Sequence, residues 1–212
     1  MNRMSIFAAV AAVGAVFASP AAAVVVSGSV DSPANADFKK LFTPFDESNP
    51  DNTVGGNNFN DNVLYAFDED QNIVLGDLLE VDFGDDIAAG TMVASHYVFY
   101  DPKNTKRLKG SIEFDAKILG VASSKGLLDA SDFLANNLVT YVSRDLRGLE
   151  GNDSLSFSDN ILNVNFYAGS PGDYIRVFTE RSVTAAVPIP AALPLLASAL
   201  FGLGFVGRRR RA

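Results

Sequence analysis

The chain has 212 residues, a net charge of −8 and no cysteine. Residues 24–181 hold 12 basic residues against all 25 acidic ones, which gives this part a charge of −13 and argues against binding to nucleic acid or anionic lipid. The lack of cysteine excludes disulfides, thiolate metal sites and cysteine nucleophiles, so the fold must rest on packing.

The N-terminus, residues 1–23, has the pattern of a secretory signal peptide. Arg3 supplies the basic start, an apolar stretch follows, and Ala21 to Ala23 form a small-residue cleavage site. The apolar stretch is shorter than the ~20 residues that a membrane-spanning helix needs. We therefore expect export through the Sec translocon and cleavage by signal peptidase after Ala23.

The body, residues 24–181, is predicted to be all-β. Runs of β-branched and aromatic residues between turn residues predict strands at 24–30, 63–67, 73–75, 92–100, 111–119, 138–142, 154–157, 161–167 and 173–180. Such short strands, without alternating helices, favour an antiparallel β-sandwich of the jelly-roll or Ig-like type. The phenylalanines within these runs are expected in its core.

Between the predicted strands, the sequence indicates one short helix and one long loop. Ser131 is the expected N-cap of the helix, with Asp132 in its first turn and Phe133 and Leu134 facing inward. Residues 32–62 are rich in Pro, Gly, Asn and Asp and predict an irregular loop.

His96 is the only histidine, so any Ser-His-Asp triad would have to use it. No G-x-S-x-G or S-x-x-K motif offers an activated serine. We expect a structural histidine, half-buried or on the solvent face of its strand. One histidine without cysteine also makes a zinc site a poor interpretation.

An acidic segment after the second predicted strand suggests calcium, which prefers oxygen ligands. Asp68, Asp70 and Asn72 give the D-x-D-x-N spacing, but Ile73 and Leu79 stand where an EF-hand loop needs Gly and Glu. Two interpretations stay open: a solvated acidic hairpin without a cofactor, or a calcium loop of another type.

The C-terminus, residues 187–212, joins three features in a fixed order. The motif Val187-Pro188-Ile189-Pro190-Ala191 comes first, an uncharged apolar stretch runs to Gly207, and the basic cluster Arg208, Arg209, Arg210 and Arg211 closes the chain. The apolar stretch predicts a transmembrane helix of marginal length, whose basic end stays on the cytoplasmic side. Residues 182–186 are expected to be a linker.

This three-part tail resembles the VPLPA-type PEP-CTERM sorting signal of Gram-negative bacteria. The resemblance implies recognition by an exosortase, a membrane enzyme that cuts near the proline motif, and passage through the inner membrane to the cell surface or the exterior. Ile189 replaces the leucine of the pattern. The body is similar to uncharacterised surface domains attached to such tails, and this similarity implies no activity.

Three functions are therefore considered. The first is a non-enzymatic surface or matrix protein, associated with exopolysaccharide. The second is a calcium- or carbohydrate-binding adhesin module. The third, a glycosidase-like hydrolase, needs two carboxylates at a defined separation, and the chain has no tryptophan to stack on a sugar.

Overall fold

The structure is a computed structural model that describes residues 22–45, 52–56 and 58–181. These residues belong to one compact unit, Ala21–Thr184. Most of the predicted signal peptide and the whole sorting motif, apolar stretch and arginine cluster lie outside the described residues. Within the described ranges, no helix is long and apolar enough to cross a membrane.

The described residues are mostly β-structure, with one short α-helix, α1 (Lys125–Ala130), and two 3-10 turns, Asp132–Leu134 and Arg144–Leu146. The strands in this part of the chain are β1 (Val25–Ser32), β2 (Asp37–Leu41), β3 (Thr53–Val54), β4 (Val63–Asp68), β5 (Ile73–Val74), β6 (Phe83–Gly84), β7 (Met92–Tyr100), β8 (Lys106–Phe114), β9 (Ile118–Ala122), β10 (Thr140–Tyr141), β11 (Ser154–Ser158), β12 (Ile161–Ala168) and β13 (Asp173–Glu180).

Sheet A has the strand order β1-β8-β12-β11, and all its pairs are antiparallel. Along β8 and β12, buried and exposed residues alternate, as expected for a sheet with one face in the core and the other in water. Leu108, Ile112 and Phe166 lie on the inner face. Most side chains on the outer face of β8 and β12 are polar or charged, and Ile161 and Tyr167 are also exposed there.

Sheet B has the order β2-β4-β7-β13-β9-β6, with β5 also paired to β7. Its central strands β7 and β13 are buried along almost their whole length, because both faces of this sheet are covered. One face packs on sheet A through residues such as Val98 and Val177. The arrangement is consistent with the predicted β-sandwich.

The second face of sheet B is covered by loops, by α1 and by the small parallel pair β3-β10. Aromatic rings fill much of this layer: Phe99 stacks on Tyr174 at 5.6 Å, and Phe67 packs edge-on against Phe45 at 5.2 Å. Leu128 of α1 and Leu134 are fully buried against this layer. The body therefore has three layers instead of the two of a simple sandwich.

The start of β1 is fixed by two acidic side chains. The Val24 N–H donates to Asp115 Oδ1 at 2.8 Å, and the Val25 N–H donates to Asp68 Oδ1 at 2.8 Å. Ala23, just before them, is fully buried. These contacts hold the first residues of β1 against the loop after β8 and the end of β4.

Several strand predictions are confirmed, including β7 and β13 at the predicted bounds. The prediction of a single strand at 111–119 is wrong. β8 ends at Phe114, and β9, which begins at Ile118, lies in the other sheet. The irregular loop at 32–62 is also wrong in part, since β2 and β3 lie within it. β2 pairs with β4 in parallel and carries Lys39 and Lys40, a typical composition for an edge strand.

The predicted helix beginning at Ser131 is wrong in its position. An α-helix ends at Ala130, and Ser131 precedes only a 3-10 turn, without a capping hydrogen bond from its side chain. Leu134 faces inward as predicted, whereas Phe133 is 58% exposed. The Ser131 hydroxyl instead donates to the carbonyl of Leu128 and accepts from Arg176.

Candidate functional site

A tight turn before β11 positions two acidic side chains at one end of the body. The Asp153 N–H donates to the Glu150 carbonyl at 3.1 Å, which closes the turn. Asp153 Oδ2 accepts the Glu150 N–H at 2.8 Å, and Oδ1 accepts the Tyr167 N–H of β12 at 2.5 Å. The Asp153 carboxylate is therefore held in one orientation, while Glu150 is exposed.

A second turn, before β13, brings in Asp173. Gly172 lies at φ +95° and donates its N–H to the Gly169 carbonyl at 2.6 Å. A Cβ atom at Gly172 would approach the Tyr100 carbonyl oxygen to 2.7 Å, so only glycine fits there. This turn places Asp173 opposite Tyr100 in sheet B, with 2% of its surface exposed.

The carboxylate oxygens of Glu150, Asp153 and Asp173 lie within 4.8 Å of one another, and we call these residues the acidic triad. Asp173 Oδ2 is buried without a hydrogen-bond partner. Burial raises the pKa of Asp173 to about 8, helped by the negative charges of Asp153 and Glu150. Among the ion pairs of the described residues, none involves the triad.

Two members of the acidic triad, Glu150 and Asp173, line an open cleft of about 460 Å³. Arg147 also lines this cleft, but its guanidinium is held by Asp132 at 2.7 and 2.9 Å and by Asp129 at 2.5 Å. No lysine or arginine of the described residues forms an ion pair with the triad within 4.0 Å. Three converging carboxylates suit a hard cation.

The residues of the predicted calcium loop have other contacts. Asp68 lies 2.7 Å from Lys40 and 2.8 Å from His96. Burial by itself would raise the pKa of Asp68, but the hydrogen bonds and charges of His96 and Lys40 outweigh it and lower the pKa. Burial and the neighbouring Glu69 charge raise the pKa of Asp70. Asn72 Oδ1 is buried without a partner.

The solvated hairpin expected at 68–72 is wrong. β4 and β5 do not pair with each other, because both pair with β7. Glu69, in the middle of this segment, is 5% exposed. A calcium ion bound by Asp68 would have to compete with Lys40, so the calcium loop stays a prediction without support from this geometry.

Glu69 forms the centre of a buried ionic network. Arg176 donates to both Glu69 oxygens, from Nε at 2.6 Å and from Nη2 at 2.9 Å. Ser95 and Tyr141 donate to the same carboxylate at 2.7 and 2.5 Å. Arg176 also donates to Asp132 at 3.1 Å. Every oxygen of Glu69 thus has partners, and the network joins the loop after β4 to β13.

His96 lies in an arrangement that resembles a catalytic triad. Its Nδ1 is 2.8 Å from Asp68 Oδ1, and its Nε2 is 3.0 Å from Thr179 Oγ1. His96 and Thr179 are both fully buried between the sheets, where no substrate reaches the hydroxyl. The expectation of a structural histidine fits this geometry, but the half-buried or solvent-facing position was wrong.

Searches against protein-family models, characterised proteins and solved structures returned no match to this chain. The site is therefore interpreted from its own geometry.

Sequence patterns do not reveal the acidic triad, because Asp173 is distant along the chain from Glu150 and Asp153. Glu150 and Asp153 flank a Gly-Asn turn, and Asp173 follows a Ser-Pro-Gly turn. Both turns are recognisable, but nothing in the sequence shows that they meet at the end of β12.

Proposed function

We propose that this chain is an exported, non-enzymatic protein of the cell surface or extracellular matrix, sorted and cleaved through its C-terminal signal. The observation that carries the proposal is the order of the tail: the Val187 to Ala191 motif, the apolar stretch and the Arg208 to Arg211 cluster. The membrane holds this tail in transit, and an exosortase-type enzyme is the processing partner.

The boundaries of the body support this proposal. β1 begins at Val25, two residues after the predicted cleavage position, and β13 ends at Glu180, seven residues before the sorting motif. Both processing sites therefore flank the described strands. Removal of the two ends leaves the pairing of β1 and β13 intact.

The interior of the body supports a structural or binding role. The one histidine, His96, is buried between the sheets. Both of its ring nitrogens have hydrogen-bond partners there, Asp68 and Thr179. The outer face of sheet A is mostly polar, with Ile161 and Tyr167 also exposed, and could contact exopolysaccharide. We further propose that the strand topology is a variant of the jelly-roll or Ig-like sandwich, with added loops on sheet B.

The proposal is tested by mass spectrometry of the mature protein from a Gram-negative host that has an exosortase. We expect a chain that begins at Val24 and lacks Arg208 to Arg211. A double variant, Pro188→Ala with Pro190→Ala, should keep the arginine cluster, because the extended motif is lost. Pro194→Ala, within the apolar stretch, is the matched control and should be processed normally.

A mature protein that retains Arg208 to Arg211 would contradict cleavage of the tail. Normal processing of the double variant would show that the proline motif is not the recognition element. A mature chain with residues before Val24 would overturn the cleavage position.

A further inference from the structure

We infer that Glu150, Asp153 and Asp173 form a divalent-cation site, and that its preferred ion is calcium. The site lies where the turn before β11 meets the turn before β13, and it involves none of the residues of the predicted calcium loop. Since metal binding is measured on purified protein and sorting is measured in cells, either proposal can fail alone.

The spacing of the acidic triad fits one calcium ion. Calcium binds oxygen at 2.3–2.6 Å, so two ligands on opposite sides of the ion are about 4.6–5.2 Å apart. The three carboxylates offer oxygens that all lie within 4.8 Å of one another. One oxygen of each residue is thus close enough to the other two for a single ion to lie between them.

The state of Asp173 points independently to a ligand. A buried carboxylate without a partner is strongly unfavourable, and buried polar atoms are nearly always satisfied. Asp173 is 98% buried, since only 2% of its surface is exposed, and its Oδ2 has no partner. Its neighbours Glu150 and Asp153 offer only acceptor oxygens, unless a proton is shared between the groups. A cation between the three carboxylates would take the place of that proton.

A fixed carboxylate and an adjoining open cleft would favour the binding of an ion. Both oxygens of Asp153 accept a backbone N–H, which orients the carboxylate and leaves each oxygen a lone pair for a metal. Glu150 is exposed and adjoins the open cleft, where water completes the coordination. Calcium tolerates six to eight ligands in irregular geometry, whereas magnesium demands an octahedron at 2.0–2.1 Å.

Calcium binding would connect two turns whose carboxylates otherwise repel each other. Glu150 and Asp153 belong to the turn before β11, at the edge of sheet A, and Asp173 belongs to β13, within sheet B. The ion therefore links the two sheets at one end of the body. Sites of extracellular proteins bind calcium with dissociation constants of about 10⁻⁴–10⁻³ M, which suits a protein exported to the surface.

The test uses the full chain, purified in detergent and stripped of metal with EDTA. Calorimetric titration with calcium chloride at pH 8 should give one site per chain, with proton release because Asp173 must be ionised to bind. At calcium 100-fold above the dissociation constant, we expect the melting temperature to rise by about 5–10 °C. Magnesium chloride should give a smaller rise at the same concentration.

Variants assign the site. Asp173→Asn and Glu150→Gln should weaken calcium binding at least about tenfold, since even the loss of an outer-shell partner costs that much. Glu150→Gln changes an exposed residue and so keeps the test valid if the buried variant fails to fold. The matched control is Asp145→Asn, in the same cleft but with its side chain 94% exposed and outside the triad.

Two results would overturn the inference. The first is an unchanged melting temperature and no binding heat with calcium in the wild-type protein, even if Asp173→Asn stabilises the metal-free chain. That outcome would mean that a shared proton, and not a metal, satisfies the triad. The second is a loss of binding in Asp145→Asn as large as in Asp173→Asn.

Discussion

Glu69 and Asp173 are both buried carboxylates of sheet B or its adjoining loop, yet their surroundings are opposite. Glu69, 5% exposed, receives hydrogen bonds from Arg176, Ser95 and Tyr141. Asp173, 2% exposed, faces two other carboxylates and has an oxygen without a partner. The comparison separates a buried charge that holds the fold from one that is available to a ligand.

The largest expected effect comes from removing Arg176, the ion-pair partner of Glu69. Arg176→Met should lower the free energy of unfolding by about 3–5 kcal/mol, because it leaves Glu69 buried and unpaired. Urea unfolding monitored by circular dichroism measures the change. Adding Glu69→Gln to this variant should restore part of the loss, since the uncompensated charge is then removed.

Lys125→Met is the control for this prediction. Lys125 pairs with Asp129 at the surface, so its removal should change stability little. A loss in Arg176→Met no larger than in Lys125→Met would show that the buried network does not support the fold.

The second prediction concerns Asp173 and the pH dependence of stability. The folded-state pKa of Asp173 is raised from 3.8 to about 8, so the folded protein keeps a proton that the unfolded chain releases. The contribution of Asp173 to metal-free stability should therefore be full below pH 4 and decline towards pH 8, by at most about 1.4 kcal/mol per pH unit. Thermal unfolding in EDTA at several pH values measures this decline.

A variant identifies the part of this decline that belongs to Asp173 between pH 6 and 8. Asp101 also contributes at lower pH, since burial raises its pKa to about 6. The other groups near Asp173 are the carboxylates of Glu150 and Asp153 and the phenols of Tyr100 and Tyr174, whose pKa values are raised above 10. Asp173→Asn should flatten the curve in this window. An equally steep decline in the variant would assign the decline to another group.

The smallest expected effect belongs to Asp115, which is half-buried and has one backbone partner. Its carboxylate accepts the Val24 N–H at 2.8 Å. If the signal is removed after Ala23, this nitrogen becomes a charged ammonium group and the hydrogen bond becomes an ion pair. Asp115→Asn should then lower the stability of the mature protein by about 1 kcal/mol, and that of the uncleaved chain by less.

Urea unfolding of both forms at pH 6 and pH 10 measures this difference. The ordinary pKa of an α-amino group is about 7.7–8.0, so the extra stability should be present at pH 6 and lost at pH 10. Equal losses in the mature and uncleaved chains at pH 6 would show that the ammonium group makes no ion pair.

The sequence predicted the strands whose side chains follow a clear pattern. β7 and β13 are long runs of apolar and β-branched residues, and their bounds were correct because both faces are buried. β2 was missed, since Asp-Phe-Lys-Lys-Leu has the charge of a loop and forms a strand only through its pairing with β4. The break between β8 and β9 was missed because a change of sheet leaves the apolar pattern continuous.

The same limit applies to the candidate site. A calcium loop was predicted at Asp68, Asp70 and Asn72 because their spacing along the chain resembles the start of an EF-hand loop. The contact of Asp68 with Lys40 depends on β2 lying beside β4, which local spacing does not show. The acidic triad depends in the same way on two turns that meet at the end of β12. Local motifs revealed neither arrangement.

The position of β13 has a consequence for the order in which the molecule is completed. The final strand of the body along the chain lies inside sheet B, between β7 and β9. It also supplies Arg176 to the ionic network and Asp173 to the triad. Until this strand emerges from the ribosome or the translocon, β7 and β9 have no partner between them. In the proposed export, sheet B would therefore be completed only after nearly the whole body has crossed the membrane, when β13 pairs between β7 and β9.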